Sequence, residues 1–237
     1  MPTLEEGAKS RIEQGLRKFT DILTSAKQQN MNEADTSSIV HSILSDVLGY
    51  DRYFEATGEY KVRGQYADYA IKLDGSVKYF VEVKAAGVAL NERHLRQVMM
   101  YAVNEGVEWA VLTNGHIWQM YHIAFEQPVR TELCSEVDIL AGSRNETADL
   151  LYILSKRSVS RNELARYWEE KLALSAPNLL SALLSEPVIR AVRREFRRLT
   201  DHLLSTDEIR ALLKTRVLRP DVEPSKATKM SRRKRKA

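Results

Sequence analysis

The stretch YADYAIKLDGSVKYFVEVKAAG, residues 66–87, has the pattern of a β-hairpin. Two alternating runs flank the turn sequence Asp74-Gly75-Ser76, and the odd-numbered positions of both runs are apolar. This alternation predicts strands over residues 67–73 and 77–85 that share one buried face. The even-numbered positions are then left to form the second, more polar face.

The register of the hairpin decides what that second face carries. A three-residue loop would pair Leu73 with Val77, and the same register places Asp68 directly across from Glu82. Opposed residues have Cβ atoms roughly 5 Å apart, so two like charges there destabilise a sheet unless something neutralises them. Mg²⁺ or Mn²⁺ would do so, since both bind carboxylate oxygens and keep positions for water and phosphate. Lys84, on the same face, is placed to stabilise charge growing on phosphorus, so the pattern predicts metal-assisted phosphodiester hydrolysis.

The segments around the hairpin predict a mixed α/β layer. Helical patterns cover residues 4–28, 33–48 and 91–104, and strand patterns cover residues 53–62, 67–73, 77–85, 109–113 and 117–123. Residues 145–218 are helical in pattern and contain no further strand signal. We therefore expect a mixed β-sheet flanked by helices, followed by a helical extension.

Composition bounds the class of protein. The 237 residues are 43% hydrophobic, enough for a real core, and the single cysteine, Cys134, excludes an intramolecular disulfide framework. No secretion signal or apolar run of membrane-spanning length is present, so we expect a cytoplasmic protein without a membrane partner. The absence of a GxxxxGK loop argues against a bound nucleotide and an ATP-driven motor.

The hairpin and its flanks resemble a known nuclease family. An Asp, a hairpin's length of chain and then Glu-Val-Lys resembles the PD-(D/E)xK signature, with Ala67 in place of the usual proline. Three segments, NEADTSSIVHSILSDVLGYD, GEYKVRGQYADYAI and FVEVKAAGVALNERHLRQVMMYAVNEGVEWAVLTNGHIWQMY, resemble the amino-terminal nuclease domain of type I restriction enzyme R subunits and stand-alone relatives. The resemblance covers about residues 32–121. It implies a restriction-endonuclease-like fold.

The resemblance also implies roles for individual residues. Asp68 and Glu82 would be metal ligands together with the carbonyl of Val83, Lys84 would be catalytic, Glu33 would assist, and Gln97 with Tyr101 would position the DNA or the lysine. The implied function is a Mg²⁺-dependent or Mn²⁺-dependent deoxyribonuclease, an endonuclease rather than an exonuclease, in DNA defence or processing. With the helical pattern and the basic carboxyl-terminal run added from the residues themselves, the predicted domains are a nuclease-like core with two N-terminal helices over residues 1–140, a helical extension over 141–219 and a disordered basic tail over 220–237.

Ordinary structural interpretations stand beside these. Lys84 and Glu82 would also make a plain ion pair worth about 0 to 1 kcal/mol, and Asp68 with Lys72 a surface contact. The alternative function is a DNA-binding or partner-binding protein that keeps the fold without cleaving. Further subunits or a homo-oligomer stay open.

Basic residues cluster in the carboxyl-terminal part of the chain. The net charge is +4, and residues 221–237 alone carry +5. Five arginines in PVIRAVRREFRRLTDHLL follow helical spacing, while an apolar stripe occupies another face. We predict DNA-binding roles for helix residues Arg190, Arg193, Arg194, Arg197 and Arg198 and for tail residues Arg232, Arg233, Lys234, Arg235 and Lys236. The alternatives are acidic partners within the protein for the helix and a solubilising end for the tail.

Overall fold

The computed structural model describes residues 4–218, apart from the side chains of residues 4–6, 144 and 145. The chain divides into two compact units, Met1–Tyr167 and Trp168–Ala237. The predicted domain boundary at residue 140 stays a prediction. The predicted tail, residues 220–237, lies outside the described residues, and so do its five predicted DNA-binding residues.

The first unit contains a six-stranded sheet in the order β1-β2-β3-β4-β5-β6. The strands are β1 Ala56–Val62, β2 Gln65–Leu73, β3 Ser76–Val83, β4 Trp109–Thr113, β5 Ile117–Ala124 and β6 Arg130–Asp138. Neighbouring strands are antiparallel except β3 and β4, which run parallel. A parallel pair needs a crossover, and the helix between these two strands provides it.

The helices confirm the predicted mixed fold with a helical carboxyl-terminal region. They are α1 Leu4–Gln28, α2 Glu33–Ser42, α3 Glu92–Glu105, α4 Arg144–Ile153, α5 Lys156–Ser160, α6 Glu163–Ala173, α7 Ala176–Leu183, α8 Glu186–Thr200 and α9 Thr206–Leu212. A π-helical turn, Ile43–Val47, continues α2, and another, Leu213–Val217, continues α9. None of the helices in residues 4–218 combines the length and the apolar character that a membrane span requires.

Helices cover both faces of the sheet. Phe80 of β3 packs in one cluster with Val98, Tyr101 and Ala102 of the crossover helix α3, and all four are buried. On the other face the hydroxyl of Tyr79 donates to a carbonyl just after α4. The expectation that the even-numbered face of the hairpin would be polar is therefore only half right, because α3 buries part of it.

The turn of the central hairpin differs from the prediction. Leu73 pairs with Ser76, so the loop contains two residues, Asp74-Gly75, instead of three. Both loop residues have positive φ, 53° and 74°, as a two-residue hairpin turn of this type requires. The sequence Asp-Gly is a strong signal for this turn, and the predicted pairing of Leu73 with Val77 was wrong.

A bulge restores the predicted register nearer the carboxylates. The pairing shifts by one residue beside Lys78, after which Tyr69 pairs with Val81 as the alternation predicts. Asp68 and Glu82 are the next residues in that register. The shorter loop and the bulge each shift the strand register by one residue, in opposite directions, so their effects cancel. The apolar alternation therefore fixes the register more strongly than the turn does.

Several strand boundaries also move, among them the start of β1 and the end of β3. The first strand begins at Ala56 and not at Tyr53, because Asp51 Oδ1 accepts the backbone N–H groups of Tyr53 and Phe54 at 2.9 Å each and holds them in a turn. The third strand ends at residue 83 and not at residue 85. Both changes leave the predicted carboxylates inside strands.

Strand β6 was missing from the sequence prediction. A second bulge lies within it, since Tyr121 pairs with Leu133 whereas Met120 pairs with Ser135. The extra residue, Cys134, is buried at 4% exposure while Leu133 is 43% exposed. The bulge interrupts the period-two alternation that sequence reasoning relies on, and β6 is an edge strand with many charged residues.

Candidate active site

The candidate site lies where β2 and β3 stop pairing. The last pair is Tyr69 with Val81, and Asp68 is the residue of β2 just before Tyr69. The Asp68 carboxylate then accepts a hydrogen bond from the backbone N–H of Val83, with 2.7 Å between Oδ2 and N. Asp68 therefore lies against the end of β3 that carries Glu82, as the hairpin register predicts.

Lys84 links the site to two glutamates. Its Nζ donates to Glu82 Oε1 at 2.7 Å and lies 3.4 Å from Glu33 Oε1. Glu33 is the first residue of α2, and the backbone N–H of Lys84 donates to the carbonyl of Thr113 on β4 at 2.8 Å. A backbone bond to β4 and two carboxylates thus fix the lysine, and the assisting role predicted for Glu33 stays a prediction.

Glu82 is the most unusual group of the cluster. It is 1% exposed, and its second carboxylate oxygen, Oε2, is buried without a hydrogen-bond partner among the described residues. Burial, followed by the charge of Asp68, raises the pKa of Glu82 to about 7 despite the opposing hydrogen bond and charge of Lys84. An ionised carboxylate in this position lacks part of the solvation that water would give it.

The other two charged groups respond to the same surroundings. Burial raises the pKa of Asp68, although the Val83 N–H and the charge of Lys84 oppose that shift. Burial acts to lower the pKa of Lys84, but the hydrogen bond that Lys84 donates to Glu82 and the charges of Glu82, Glu33 and Asp68 outweigh it and raise that pKa. Lys84 is therefore protonated at neutral pH.

Gln97 and Tyr101 lie one turn apart on α3, facing the sheet. Gln97 Nε2 donates to Tyr101 Oη at 3.2 Å, and Tyr101 is 2% exposed and packs beside Phe80. Burial raises the pKa of Tyr101, and the charges of Glu82 and Asp68 act in the same direction. Within residues 4–218, neither side chain hydrogen-bonds to Lys84, so their predicted role in positioning the lysine or DNA stays a prediction.

Two further residues lie near this cluster. The β1 residues on either side of Glu59 pair with the β2 residues on either side of Asp68, so Glu59 lies opposite Asp68. The charge of Glu59 contributes to the raised pKa of Asp68. Burial and the charge of Lys84 lower the pKa of His94 on α3, and His94 Nδ1 is buried without a partner in the described part of the chain. The sequence pattern did not single out Glu59, since the alternation within the hairpin says nothing of the register with β1.

The donor set of this cluster suits a hard divalent cation. Within residues 4–218, no three Asp, Glu, His or Cys side chains are grouped as metal ligands. Two carboxylates and a carbonyl are nevertheless enough for Mg²⁺, which usually keeps several waters and uses one or two protein carboxylates. Asp68 and the unpartnered Oε2 of Glu82 are oxygen donors of this cluster, and the Val83 carbonyl is the third donor that the resemblance implies.

The predicted arginine stripe is on α8 in the second unit. Arg190 Nε pairs with Glu186 at 3.0 Å, and Arg198 pairs with Glu195. Arg193 Nε donates to the backbone carbonyl of residue 204 at 2.7 Å. Arg194 and Arg197 are exposed and have no hydrogen bond or ion pair with any described residue. The five helix arginines predicted to bind DNA therefore differ in their contacts: two are ion-paired, one is bonded to a backbone carbonyl, and two have no partner among the described residues.

The chain is similar to known restriction proteins. Residues 39–137 match the family described as Type I restriction enzyme R protein N terminus (HSDR_N). The structure titled "Characterization and crystal structure of the type IIG restriction endonuclease BpuSI" shares 18% identity and a TM-score of 0.39, over 70% of this chain and 22% of that chain. No curated protein sequence matches the chain. The resemblance inferred from sequence is thus confirmed for residues 39–137, which carry Asp68, Glu82 and Lys84 and are similar to the type I restriction enzyme R protein N terminus.

Proposed function

We propose that the protein is a metal-dependent deoxyribonuclease that hydrolyses phosphodiester bonds at the cluster of Asp68, Glu82 and Lys84. The observation that carries this proposal is the buried, unpartnered Oε2 of Glu82 beside Asp68, with Lys84 Nζ 2.7 Å from Oε1. Because residues 39–137 resemble a restriction-enzyme family, DNA is the substrate we assign.

A purely structural ion pair explains this geometry poorly. Three carboxylates, those of Asp68, Glu82 and Glu33, surround a single lysine, so the cluster has more negative than positive charge. A buried carboxylate whose pKa is about 7 is less stable when ionised than the same group in water. Perturbed carboxylates of this kind are typical of functional sites, whereas a stabilising ion pair would satisfy both glutamate oxygens.

A divalent cation fits the donors described above and would be Mg²⁺ or Mn²⁺. When bound, it supplies Lewis-acid polarisation of a phosphate oxygen and neutralises the carboxylates. Asp68, Glu82 and the Val83 carbonyl are the groups that would hold it. The Val83 N–H bond to Asp68 orients that carboxylate in advance.

Lys84 acts in this proposal as a cation and not as a base. Its raised pKa keeps the amine protonated at neutral pH. An ammonium group has three N–H donors, and Glu82 and Glu33 use two of them. The third is free to donate to a non-bridging phosphate oxygen or to an attacking water, where negative charge develops in the transition state.

The test is cleavage of supercoiled plasmid DNA, linear duplex DNA and single-stranded DNA with Mg²⁺, Mn²⁺ or EDTA. A closed circle has no ends, so its conversion to open or linear forms identifies the endonuclease that we propose. We expect cleavage with either metal and none with EDTA. Lys84→Met should abolish cleavage while DNA affinity in EDTA stays within about three-fold, because one of many phosphate contacts adds little binding.

Lys18→Met is the matched control, since Lys18 is an exposed residue of α1. It should cleave at the wild-type rate. Cleavage by Lys84→Met at the wild-type rate would contradict the assigned site. A wild-type protein that binds DNA but cuts none of the three substrates with either metal would instead support the non-cleaving alternative.

A further inference from the structure

We infer that Arg193, Arg194 and Arg197 of α8 form a binding site for the phosphate backbone of DNA, and that Arg190 and Arg198 serve the fold of the second unit. The inference rests on the proposed function only for the identity of the ligand as DNA. The five arginines of the predicted stripe differ in whether the guanidinium group pairs with a carboxylate of the second unit.

A cavity of about 310 Å³ lies on one side of α8. Its lining residues are Arg190, Arg193, Arg194, Arg197 and Leu203, with no acidic side chain among them. Four of these residues are arginines at helical positions i, i+3, i+4 and i+7, so they share one face of the helix. Arg198 is outside the cavity.

The two arginines that we assign to the fold have acidic partners within the unit. Arg190 pairs with Glu186 one turn earlier on α8, and Arg198 pairs with Glu195. Arg210 of α9 also reaches Glu186, at 3.0 Å, so this glutamate pairs with an arginine of its own helix and with one of α9. An external anion would have to compete with these carboxylates for Arg190 and Arg198.

The other three arginines lack such neutralisation. Arg193 is partly buried, and its Nε–H is held by the carbonyl of Leu204, which leaves the terminal Nη groups to face a ligand. Arg194 and Arg197 have no polar partner among residues 4–218. A side chain that is already held loses less conformational entropy on binding, so Arg193 is a preorganised member of the set.

The charge density of these three residues suits a polyanion. Residues 193 to 197 span about 6 Å along the helix axis at a rise of about 1.5 Å per residue. Each strand of duplex DNA carries one negative charge per about 3.4 Å of the DNA axis, so a strand that runs along α8 brings about two phosphates within this length. The planar guanidinium group also matches the oxygens of a phosphate in bidentate geometry.

The test compares two double variants that remove the same charge from the same helix. Arg194→Gln with Arg197→Gln removes two unpartnered guanidinium groups, and Arg190→Gln with Arg198→Gln removes two paired ones. Arg193 is left unchanged, because its bond to Leu204 contributes to the fold. Binding of the full chain to a fluorescein-labelled DNA duplex is measured by anisotropy in EDTA between 50 and 200 mM salt, with circular dichroism to confirm equal helix content.

We expect the Arg194/Arg197 variant to bind DNA at least ten-fold more weakly at the lowest salt. Its plot of log affinity against log salt should be shallower by about 1.8, since each lost phosphate contact removes about 0.9 from the slope. The Arg190/Arg198 variant should stay within about three-fold of wild type, with a slope change under about 0.5. Equal losses in both variants would show bulk charge attraction, and no loss in either would show that α8 does not contact DNA; each overturns the inference.

Failure of this inference is separable from failure of the proposed function. Plasmid cleavage by wild type together with unchanged binding by the Arg194/Arg197 variant would overturn the α8 site and leave the nuclease intact. Binding that depends on Arg194 and Arg197 in a protein that never cleaves would retain the α8 site and overturn the nuclease.

Discussion

Replacing Glu82 with Gln tests the electrostatics of the candidate site directly. In the folded protein the pKa of Glu82 is about 7, whereas the ordinary glutamate value is 4.5. A difference of about 2.5 pH units corresponds to about 3.5 kcal/mol, at about 1.4 kcal/mol for each unit. Metal-free wild-type protein therefore loses about this much stability as the pH rises from below the unfolded pKa of Glu82 to above the folded one.

The direction of the pH dependence follows from the raised pKa. Below pH 4.5 the Glu82 carboxyl is protonated in both the folded and the unfolded chain, so it adds no pH dependence. Between pH 4.5 and about 7 the unfolded chain releases the proton while the folded chain keeps it, so stability falls as the pH rises. Above pH 7 the loss is complete. Glu82→Gln has no such proton, and its advantage over wild type should grow across this window.

The measurement is urea unfolding in EDTA, followed by far-ultraviolet circular dichroism at pH 4.5, 6 and 8. We expect the free energy of unfolding of Glu82→Gln, minus that of wild type, to rise by about 3 kcal/mol from the lowest to the highest pH. Glu105→Gln, at the exposed end of α3, is the control for loss of one carboxylate and should show no such rise. A difference that stays constant across the pH range would refute the raised pKa and with it the buried-carboxylate argument.

Two further changes test neighbouring features. Asp68→Asn keeps an oxygen acceptor for the Val83 N–H but removes a negative charge from the proposed metal ligands. Mg²⁺ at 100 times Kd should therefore stabilise wild type by about 2.7 kcal/mol and the variant by far less. An equal rise in melting temperature in both proteins would exclude Asp68 as a ligand. The hydroxyls of Tyr50 and Tyr79 both donate to the carbonyl of Leu154, at 2.7 and 2.9 Å. Each Tyr→Phe change should cost under about 1 kcal/mol because one donor remains, while the double change should cost about 1 kcal/mol more than their sum. Strict additivity in urea unfolding would contradict the shared acceptor.

The position of the two carboxylates was predictable because the apolar alternation decides which residues of β2 and β3 can face each other. Apolar residues at odd positions on both strands require paired residue numbers that add to an even total, and this holds at Tyr69 and Val81. The turn did not set this pairing, because the Asp74-Gly75 loop is one residue shorter than predicted and the bulge at Lys78 shifts the register back by one residue. A prediction that depends on the buried pattern survives an error in the turn.

The remaining features depend on contacts between distant segments. No period in the sequence places Glu33 of α2 at 3.4 Å from Lys84, and only the resemblance to a family indicated it. The missing partner of Glu82 Oε2 is a property of packing by α3 and the neighbouring strands, which a strand pattern does not contain. Among the arginines, spacing gave the shared helix face, but only the side-chain geometry separates Arg194 from Arg198.

The charge of the site also constrains where affinity for DNA originates. Asp68, Glu82 and Glu33 outnumber Lys84, so the metal-free cluster repels a polyanion at short range. Under the proposed function, the catalytic groups therefore contribute to cleavage more than to binding, and metal-free DNA affinity must come from other positively charged residues. Within the described part of the chain, Arg194 and Arg197 are basic side chains without an internal partner that line a cavity free of acids. For this reason the Arg194/Arg197 variant should change DNA affinity in EDTA, whereas Lys84→Met should change cleavage.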